Sequence, residues 1–592
     1  MRFCCAVALA AAQTACGRGI SLDPTSSAPS GDKLDGGDAS DMTPLDPDAS
    51  LEDAREDQDA HAVDVSMPMR DAGDETAADV DAAPDAALDN AHDDARDVTI
   101  DVGDEVASDA TDEMGDTGDD VRDGGVDAEA GDGCTLGCGW PEADYYVDAR
   151  APDGGDGSRQ KPFKTITRAI LEYASAPGQP KKAYLAPGTY DKALGEQFPL
   201  VLRGLSLEGA GREQTLIVGT GAFNHAAAGG PMRGDYVVTI VAGDRVLSTK
   251  ISGVLVRPES PVPVQNYFGV FCDRGSATGE VAPPSGQTQL DAVSIGPSYH
   301  AAVVATTSTA MSVTGCSVSI RASTLTGGWE GVHAVGVDTG PVPGPVSGPV
   351  VVEMGGPDPS SGNTVSWMQG PSDIAGGALL LGGVSGSLQY NTFIDSRYGI
   401  YVEDSSYAGT LHLTIKHNSF ERLARGAYIS GGGLIVDELS DNRFFGISRA
   451  PGEDPAQQAF ALSSELPRLR KVRRNQFIGN DIGIAFAVWN YPDGVLPDFG
   501  TAGDPGGNVF RCNSALQGSG ADFLLTGAGH DAWTGTLSMA GNAWDHAPPT
   551  VSPEPIPNGA DVGTRTLPGV TLDLSNATLA TPACPPDRIP GQ

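Results

Sequence analysis

Six charged or ionisable side chains lie close together where the sequence predicts two neighbouring strands. They combine acids with bases: Asp395, Arg397, Glu403, Asp404, Lys416 and His417. Carboxylates can hold Ca²⁺ through their oxygens, and a nearby basic group can take the proton α to a uronate carboxyl group. The cluster therefore fits elimination from an acidic polysaccharide, with Ca²⁺ as the cofactor. The same residues also fit a solvated outer face with weak ion pairs, and this is the interpretation that we favour.

The elements that would position these side chains are repeats of one pattern. An asparagine stands two residues before an aromatic residue six times, at intervals of 24 to 34 residues: Asn391 and Phe393, Asn418 and Phe420, Asn442 and Phe444, Asn475 and Phe477, Asn508 and Phe510, Asn542 and Trp544. Short, β-rich repeats of this length predict a solenoid in which each unit buries its apolar face against its neighbours. Such asparagines can bond to the backbone at turns, and the aromatic residues can stack inward. We interpret both sets as a structural ladder.

The segment 145–219 has a different organisation, which predicts the first unit of the solenoid. It opens with strand-like Tyr145–Asp148, and a helix is predicted after Thr165 because apolar residues recur at helical spacing and Pro177-Gly178 follows. Short strand-like runs and glycine turns then lead to Gly219.

Five motifs in this segment closely resemble, in the same order, the domain of unknown function 1565, the N-terminal cap of pectin-lyase-like right-handed parallel β-helices. They are Tyr146-Val147-Asp148, Lys161–Ile166, Pro187–Tyr190, Phe198-Pro199-Leu200 and Leu207–Gly211. The resemblance implies an all-β fold, a single-stranded right-handed parallel β-helix with an N-terminal capping helix. We expect the cap at residues 134–219, the repeats at 220–547 and a proline-rich tail at 548–592.

The chain before the cap has another composition. The formal net charge of the protein is −41, and most of the excess acid lies in residues 17–133. An Asp-, Ala- and Gly-rich chain with almost no aromatic residues cannot bury enough apolar surface to fold, so we expect a disordered tether. No part of the chain carries the basic face that nucleic acid requires, and we expect no nucleic-acid partner.

Residues 1–16 contain Arg2, a short apolar run from Phe3 to Ala12, and then Gln13-Thr14-Ala15-Cys16. This pattern resembles a bacterial lipoprotein signal, with Gln13 where that family usually has leucine. The resemblance implies a lipid on Cys16 and a membrane anchor, and Gly17 after the cysteine implies the outer membrane or cell surface. A secreted, unanchored protein is the alternative.

Six cysteines follow the signal, and in an exported protein they can pair. Cys134 and Cys138 flank three residues and predict a local disulfide, while Cys584 is predicted to tether the tail, with Cys512 as the candidate partner. Otherwise Cys272, Cys316 and Cys512 are expected as single apolar core residues. There is no second Cys/His pair at zinc-ligand spacing, so no metal site is predicted.

Together these features predict a monomeric, exported, surface-anchored β-helix protein that binds polysaccharide or has a structural role, without catalysis and without a cofactor. One alternative is a polysaccharide lyase or glycoside hydrolase, and here the resemblance is incomplete: polygalacturonases carry Asp-Asp and Gly-His-Gly motifs that this sequence lacks, and only Thr414-Ile415-Lys416 is similar to their last motif. A second alternative is an adhesin-like module that binds proteins.

Overall fold

A computed structural model defines the fold of the chain, and the part that it describes begins at residue 139. The described ranges are 139–224, 235–243, 246–259, 267–272, 286–297, 301–306, 316–335, 350–366, 368, 376–404, 410–431, 433–449, 459–465, 468–488, 497–513, 521–527, 535–557, 559–565 and 569–582. The predicted signal, the tether and the lipid-attachment residue Cys16 lie outside these ranges, so they stay predictions.

Strand β1 (Tyr145–Val147) and helix α1 (Ile166–Ser175) begin the fold. The Thr165 hydroxyl accepts a backbone N–H of the first turn at 3.2 Å, and the Glu196 carboxylate accepts the first two amide groups of the helix at 2.6 and 2.8 Å. These bonds satisfy donors that a helix start leaves without partners. The helix then covers the first coil with three buried side chains, Ile166, Ala169 and Tyr173.

The remaining strands are short and follow one another in chain order: β2 (Lys181–Leu185), β3 (Gly188–Tyr190), β4 (Leu200–Val201), β5 (Leu205–Gly209), β6 (Thr215–Val218), β7 (Gly221–Asn224), β8 (Asp235–Ala242), β9 (Thr249–Ser252), β10 (Leu255–Arg257), β11 (Tyr267–Cys272), β12 (Thr288–Asp291), β13 (Ser294–Ile295), β14 (Ala301–Thr306), β15 (Ser317–Arg321), β16 (Thr324–Thr326), β17 (Glu330–Val335), β18 (Val350–Met354), β19 (Thr364–Ser366), β20 (Gly376–Leu381), β21 (Val384–Gln389), β22 (Thr392–Ile394), β23 (Tyr398–Asp404), β24 (Leu411–Lys416), β25 (Ser419–Glu421), β26 (Arg425–Gly431), β27 (Leu434–Ser440), β28 (Arg443–Phe445), β29 (Leu462–Glu465), β30 (Arg468–Leu469), β31 (Val472–Arg473), β32 (Gln476–Ile478), β33 (Ile484–Val488), β34 (Val509–Arg511), β35 (Ala521–Gly527), β36 (Gly535–Ser538), β37 (Ala543–Trp544), β38 (Val551–Pro553), β39 (Ala560–Arg565), β40 (Val570–Asp573) and β41 (Thr578–Leu579). A 3₁₀ turn occupies Pro359–Ser361.

Most of these strands form three long sheets, which we call A, B and C, and from β5 to β29 successive coils contribute strands to A, B and C in that order. In the last coils β36 and β40 form a separate two-stranded sheet, while sheets B and C continue. Sheet A runs from β1 and β2 through β21, β24 and β27 to β30; sheet B runs from β3 through β22, β25 and β28 to β41; sheet C runs from β4 through β20, β23, β26 and β29 to β38. Neighbouring strands within a sheet are parallel, for example β21 with β24 and β23 with β26; β7, which runs antiparallel to β8, departs from this pattern. The predicted right-handed parallel β-helix is confirmed.

Two columns of side chains run through the interior beside sheet B. Rings of Phe393, Phe420, Phe444, Phe477, Phe510 and Trp544 are fully buried and lie 4.4 to 5.2 Å apart, centroid to centroid. An asparagine stands at the turn between sheets A and B in successive coils. Its side-chain NH₂ group donates to the side-chain oxygen of the asparagine in the next coil, at 2.8 to 3.0 Å. The column includes all six asparagines of the repeats and begins one coil earlier, at Asn363. Each coil is thus bonded to the next through side chains as well as backbone.

The coils continue past residue 547, the predicted start of the tail. Strand β39 pairs with β35, β40 with β36 and β41 with β37, all in parallel. Pro553 lies in β38, at the end of sheet C, where an edge strand tolerates a residue without an N–H group. The prolines of this segment that the structure describes therefore belong to turns and an edge of the β-helix. No helix in the described ranges has the length and apolarity needed to cross a membrane.

Cys272 and Cys316 form a disulfide, with Cα atoms 6.1 Å apart. The expectation that they are single core residues is wrong. Strands β12, β13 and β14 lie between them and take one place each in sheets A, B and C, so Cys316 follows Cys272 one coil later. Cys512 is also disulfide-bonded, so it is not a single residue either. Its pairing with Cys584, and the pair Cys134 and Cys138, involve residues outside the described ranges.

Candidate functional site

The outer face of sheet C carries a row of aromatic side chains on strands β23 and β26. Within β23, Ile400 and Val402 are buried in the interior, so the alternation of a strand turns Tyr401 outward. The register places Tyr401 beside Tyr428 of β26, and their rings stack with centroids 4.9 Å apart and planes 27° apart. Both side chains keep part of their surface exposed.

Two more aromatic residues extend this row. Tyr398 meets Tyr401 edge to face at 5.3 Å, and the ring of Phe460 lies 6.4 Å from that of Tyr428. The guanidinium group of Arg425 lies over the rings of Tyr398 and Phe460, at 5.1 and 5.9 Å from their centroids. A cation over an aromatic face is attracted by its quadrupole, so Arg425 holds the two ends of the row together.

Each stacked tyrosine donates its hydroxyl hydrogen to a glutamate. Tyr401 bonds to Glu403 at 2.9 Å, and Tyr428 bonds to Glu465 of β29 at 3.3 Å. Burial raises the pKa of Glu465 above its usual range, the bond from Tyr428 lowers it in part, and the charge of Glu403 raises it again. Burial also raises the pKa of both tyrosines, so they remain protonated donors at neutral pH. The face combines aromatic surface, hydroxyl donors and carboxylate acceptors.

The sequence matches the family described as protein of unknown function, DUF1565, over residues 151–276 and 317–551, which together are more than half of the chain. The chain belongs to this family. The family resemblance stated from the cap motifs is confirmed, and the match extends through most of the coils.

Solved structures similar to this DUF1565 chain include carbohydrate-active proteins. The A-module of mannuronan C-5 epimerase AlgE6 from Azotobacter vinelandii has 14% identity and a TM-score of 0.34, over 70% of this chain and 94% of that chain. A pectin methylesterase in complex with a hexasaccharide has 15% identity and a TM-score of 0.24, over 55% and 81%. Pectin methylesterase PemA from Erwinia chrysanthemi has 11% identity and a TM-score of 0.19, over 65% and 80%. Among curated proteins, none matches the sequence.

The DUF1565 chain distributes the six polar residues singled out in the sequence over different faces. Asp395 lies at the turn after β22 and accepts two hydrogen bonds from Arg422, at 2.7 and 2.9 Å. Lys416 points outward from sheet A, 2.6 Å from Glu438. His417 lies at the next turn.

The other three belong to strand β23 or precede it. His417, in contrast, stacks on Tyr390 with ring centroids 4.5 Å apart. Arg397 lies just before β23, and Asp404 ends that strand, its side chain outside the described part. Glu403 joins the aromatic row, so the structure brings one of the six into the site through described contacts. A catalytic role for any of the six stays a prediction.

Sequence reasoning missed Tyr401, Tyr428 and Glu465. A signal was present, because Gly399-Ile400-Tyr401 and Gly426-Ala427-Tyr428 follow the repeat motifs at the same distance in two successive coils. Aligning the two runs places one tyrosine over the other. Glu465 carried no such signal, since its coil contains a longer insertion.

Two further groups of polar residues lie elsewhere in the β-helix. The side chains of Glu330 and His333 lie on β17 of sheet C and are 2.7 Å apart and buried. At the C-terminal coils, burial raises the pKa of Asp522 well above its usual range, and the charge of Asp545 adds to the shift. Among the residues that the structure describes, no three acidic, histidine or cysteine side chains form a group that could hold a metal ion.

Proposed function

We propose that the protein binds a neutral polysaccharide along the outer face of sheet C, where Tyr401, Tyr428, Glu403 and Glu465 lie. The observation that carries the proposal is the pair of stacked tyrosines, each with its hydroxyl on a glutamate. Ligand sites combine aromatic surface with a few placed polar groups, and this face offers both along the axis of the stack.

The charge of the face favours hydroxyl-rich, uncharged sugars. A carboxylate accepts hydrogen bonds from hydroxyl groups, and a protonated carboxyl group can also donate one. A uronate would bring its own negative charge close to Glu403, and like charges in a partly buried place repel. We therefore expect neutral chains to be preferred over uronate chains.

Retardation in affinity gels tests the binding proposal directly. The protein is run in gels that contain neutral or uronate polysaccharides, together with the variants Tyr428→Ala and Tyr390→Ala. Tyr390 is a matched control, because it is a partly exposed, stacked tyrosine at the A–B turn. Loss of retardation by at least tenfold in Tyr428→Ala alone is expected. Equal retardation of both variants, or none for the wild type on any polymer, would contradict the proposal.

We also propose that the protein is exported and anchored through a lipid on Cys16, which the signal pattern supports. The predicted acidic tether would then separate the β-helix from the membrane. Fractionation of cells that make the full chain tests this: wild-type protein should sediment with membranes, and Cys16→Ser should be released. Sedimentation of both alike would refute the lipid anchor.

A further inference from the structure

Three aspartate side chains come together in the last coils of the β-helix, and we call their site the aspartate corner. Asp522 lies on β35 of sheet C, Asp561 lies on β39 of the same sheet, and Asp545 directly follows β37 of sheet B. The register pairs Phe523 with Val562, so the residues before them, Asp522 and Asp561, lie side by side on adjacent strands. Both are buried, with 1% and 0% of their surface exposed. The fold therefore places two buried acids next to each other.

Asp545 is tied to the same corner through two successive residues, Cys512 and Asn513. The side-chain NH₂ group of Asn513 donates to Oδ1 of Asp522 at 3.0 Å. The backbone N–H of Cys512 donates to Oδ2 of Asp545 at 2.8 Å. Because the two donors are neighbours in the chain, the carboxyl groups of Asp522 and Asp545 lie at the same corner of the stack.

The two buried acids differ in the number of donors around them. Asp561 accepts hydrogen bonds from the backbone and Nδ1 of His546, at 3.2 and 3.0 Å, and from the backbone and hydroxyl of Thr550, at 2.7 and 2.8 Å. Asp522 Oδ2 is buried and has no hydrogen-bond partner within the part of the chain that the structure describes. A buried charged oxygen without a donor is costly, whereas a protonated carboxyl group carries no charge and can itself donate.

The charges at the corner act in the same direction. Burial raises the pKa of Asp522 well above its usual range, and the charges of Asp545 and Asp561 raise it further. Burial also raises the pKa of Asp545; the charge of Asp561 adds to this shift, while a backbone hydrogen bond, His546 and Arg511 lower it in part. These four groups are the titratable neighbours that act on the corner from β34, β37 and β39.

We infer that Asp522 is a carboxylic acid in the folded protein and that its proton closes a pH-sensitive lock on the C-terminal end of the β-helix. When hydroxide removes this proton, water forms and a new negative charge is left among the other two acids. That charge favours separation of β35 from β39. Beyond β39, sheet C has only the three-residue strand β38, so the end can open without disturbing the other coils.

The sign of the pH dependence follows from the raised pKa of Asp522. Its contribution to stability is complete below about 3.8, the ordinary value for an aspartate, and is lost as pH rises through the folded pKa. The lock does not depend on the polysaccharide proposed for sheet C, because the aspartate corner lies on other strands.

Hydrogen–deuterium exchange of the full chain, followed by mass spectrometry, tests the lock. Exchange rates from pH 5 to 9 are divided by the intrinsic rate at each pH, and peptides that cover β35 and β39 are compared with peptides that cover β9 and β12. We expect exchange in β35 and β39 alone to rise by at least about tenfold in the wild type, the factor that corresponds to one pKa unit.

Asp522→Asn cannot ionise and keeps an oxygen for Asn513, so its exchange in β35 and β39 should change less than about twofold over the same range. Asp573→Asn is the matched control, because Asp573 also lies in the last coils but has Ser575 as its partner, outside the aspartate corner. It should respond to pH as the wild type does. Wild-type exchange that does not depend on pH, or a full response in Asp522→Asn, would overturn the lock.

Asp545→Asn supplies a second test that does not require Asp522→Asn to fold. It removes one charge that raises the pKa of Asp522, so the pH at which β35 and β39 open should be lower than in the wild type. An unchanged midpoint in Asp545→Asn, or the same displacement in Asp573→Asn, would also contradict the inference.

Discussion

Glu438 on sheet A and Glu465 on sheet C are the same residue type on two outer faces of one β-helix, and their pKa values are shifted in opposite directions. Burial would raise the pKa of Glu438, but the hydrogen bonds from Lys416 and Ser440 outweigh it and the pKa is lowered. For Glu465 burial prevails, because its partner is the uncharged hydroxyl of Tyr428. The charge of the partner, more than the position in the fold, decides which glutamate can carry a proton.

The same contrast holds along the two faces. Sheet A presents ion pairs such as Lys182 with Glu208 and Lys250 with Asp291, each at 2.8 Å and well exposed. Such pairs contribute little to stability and leave both partners solvated. Sheet C presents stacked rings and enclosed carboxyl groups. An ion-paired face suits solubility, whereas an aromatic face with a protonatable acid suits a ligand.

Removing the interior support that both faces share should have the largest effect. Phe444 is fully buried between Phe420 and Phe477, at 4.4 and 5.0 Å. Phe444→Ala should lower the free energy of unfolding by about 3–5 kcal/mol, because it leaves a cavity in the stack. Urea denaturation followed by circular dichroism measures this, with Phe444→Leu as the milder control. A loss below about 1 kcal/mol would show that the ring stack is not a continuous support.

A change of pH should act on the two glutamates with opposite signs. The pKa of Glu465 is raised in the folded state, so its contribution to stability falls as pH rises from about 4.5 through the folded pKa. The pKa of Glu438 is lowered, so its contribution is lost as pH falls from about 4.5 through the folded pKa. Unfolding free energies of wild type, Glu465→Gln and Glu438→Gln from pH 3 to 8 should show the two trends. If both contributions changed with pH in the same direction, the opposite pKa shifts of Glu465 and Glu438 would be contradicted.

Removing one hydroxyl group on sheet C should increase the difference in pKa between Glu465 and Glu438. Tyr428→Phe keeps the ring stack and deletes the donor to Glu465, so stability should fall by about 1 kcal/mol. Because that bond lowers the pKa of Glu465, the pKa should rise further. Carbon-13 NMR titration of the glutamate carboxyl groups measures the shift, and Tyr401→Phe is the control on the neighbouring coil. An unchanged pKa for Glu465 would argue against the bond.

Removing one partner of an ion pair on sheet A should have the smallest effect. Lys416→Ala should cost about 0.5 kcal/mol at low salt and less in 1 M NaCl, since partly exposed pairs are weak and screened. It should also raise the pKa of Glu438 toward that of Glu465. Thermal unfolding at the two salt concentrations measures the first effect, and a loss above about 2 kcal/mol would mean that sheet A is not a solvated face.

The ladder and the site differ in how far the sequence predicts them. Asn442 and Phe444 recur at repeat intervals, and a repeating coil must place equivalent residues over one another, so their columns follow from the pattern. The asparagine–aromatic repeat pattern does not include Asn363, because Val365 stands where the other repeats have an aromatic residue. The six polar residues of the sequence cluster lie on different faces for a different reason. Residues close in sequence, such as Asp395 and Glu403, pass from one sheet to the next within a few positions and then face different directions.

The β-rich coils, the capping helix and the interior ladder follow from the amino-acid sequence, because each depends on a local pattern of apolar and turn residues. Outside these repeated columns, the tertiary structure is needed to show which residues meet across coils. Glu403 and Glu465 share a row across sheet C, and Cys272 and Cys316 are bonded to each other, although segments of different length separate the two members of each pair in the sequence. The hydrogen-bonded register of the strands, and not the separation in sequence, sets which side chains lie side by side on a sheet. The site on sheet C therefore depends on the register of β23, β26 and β29.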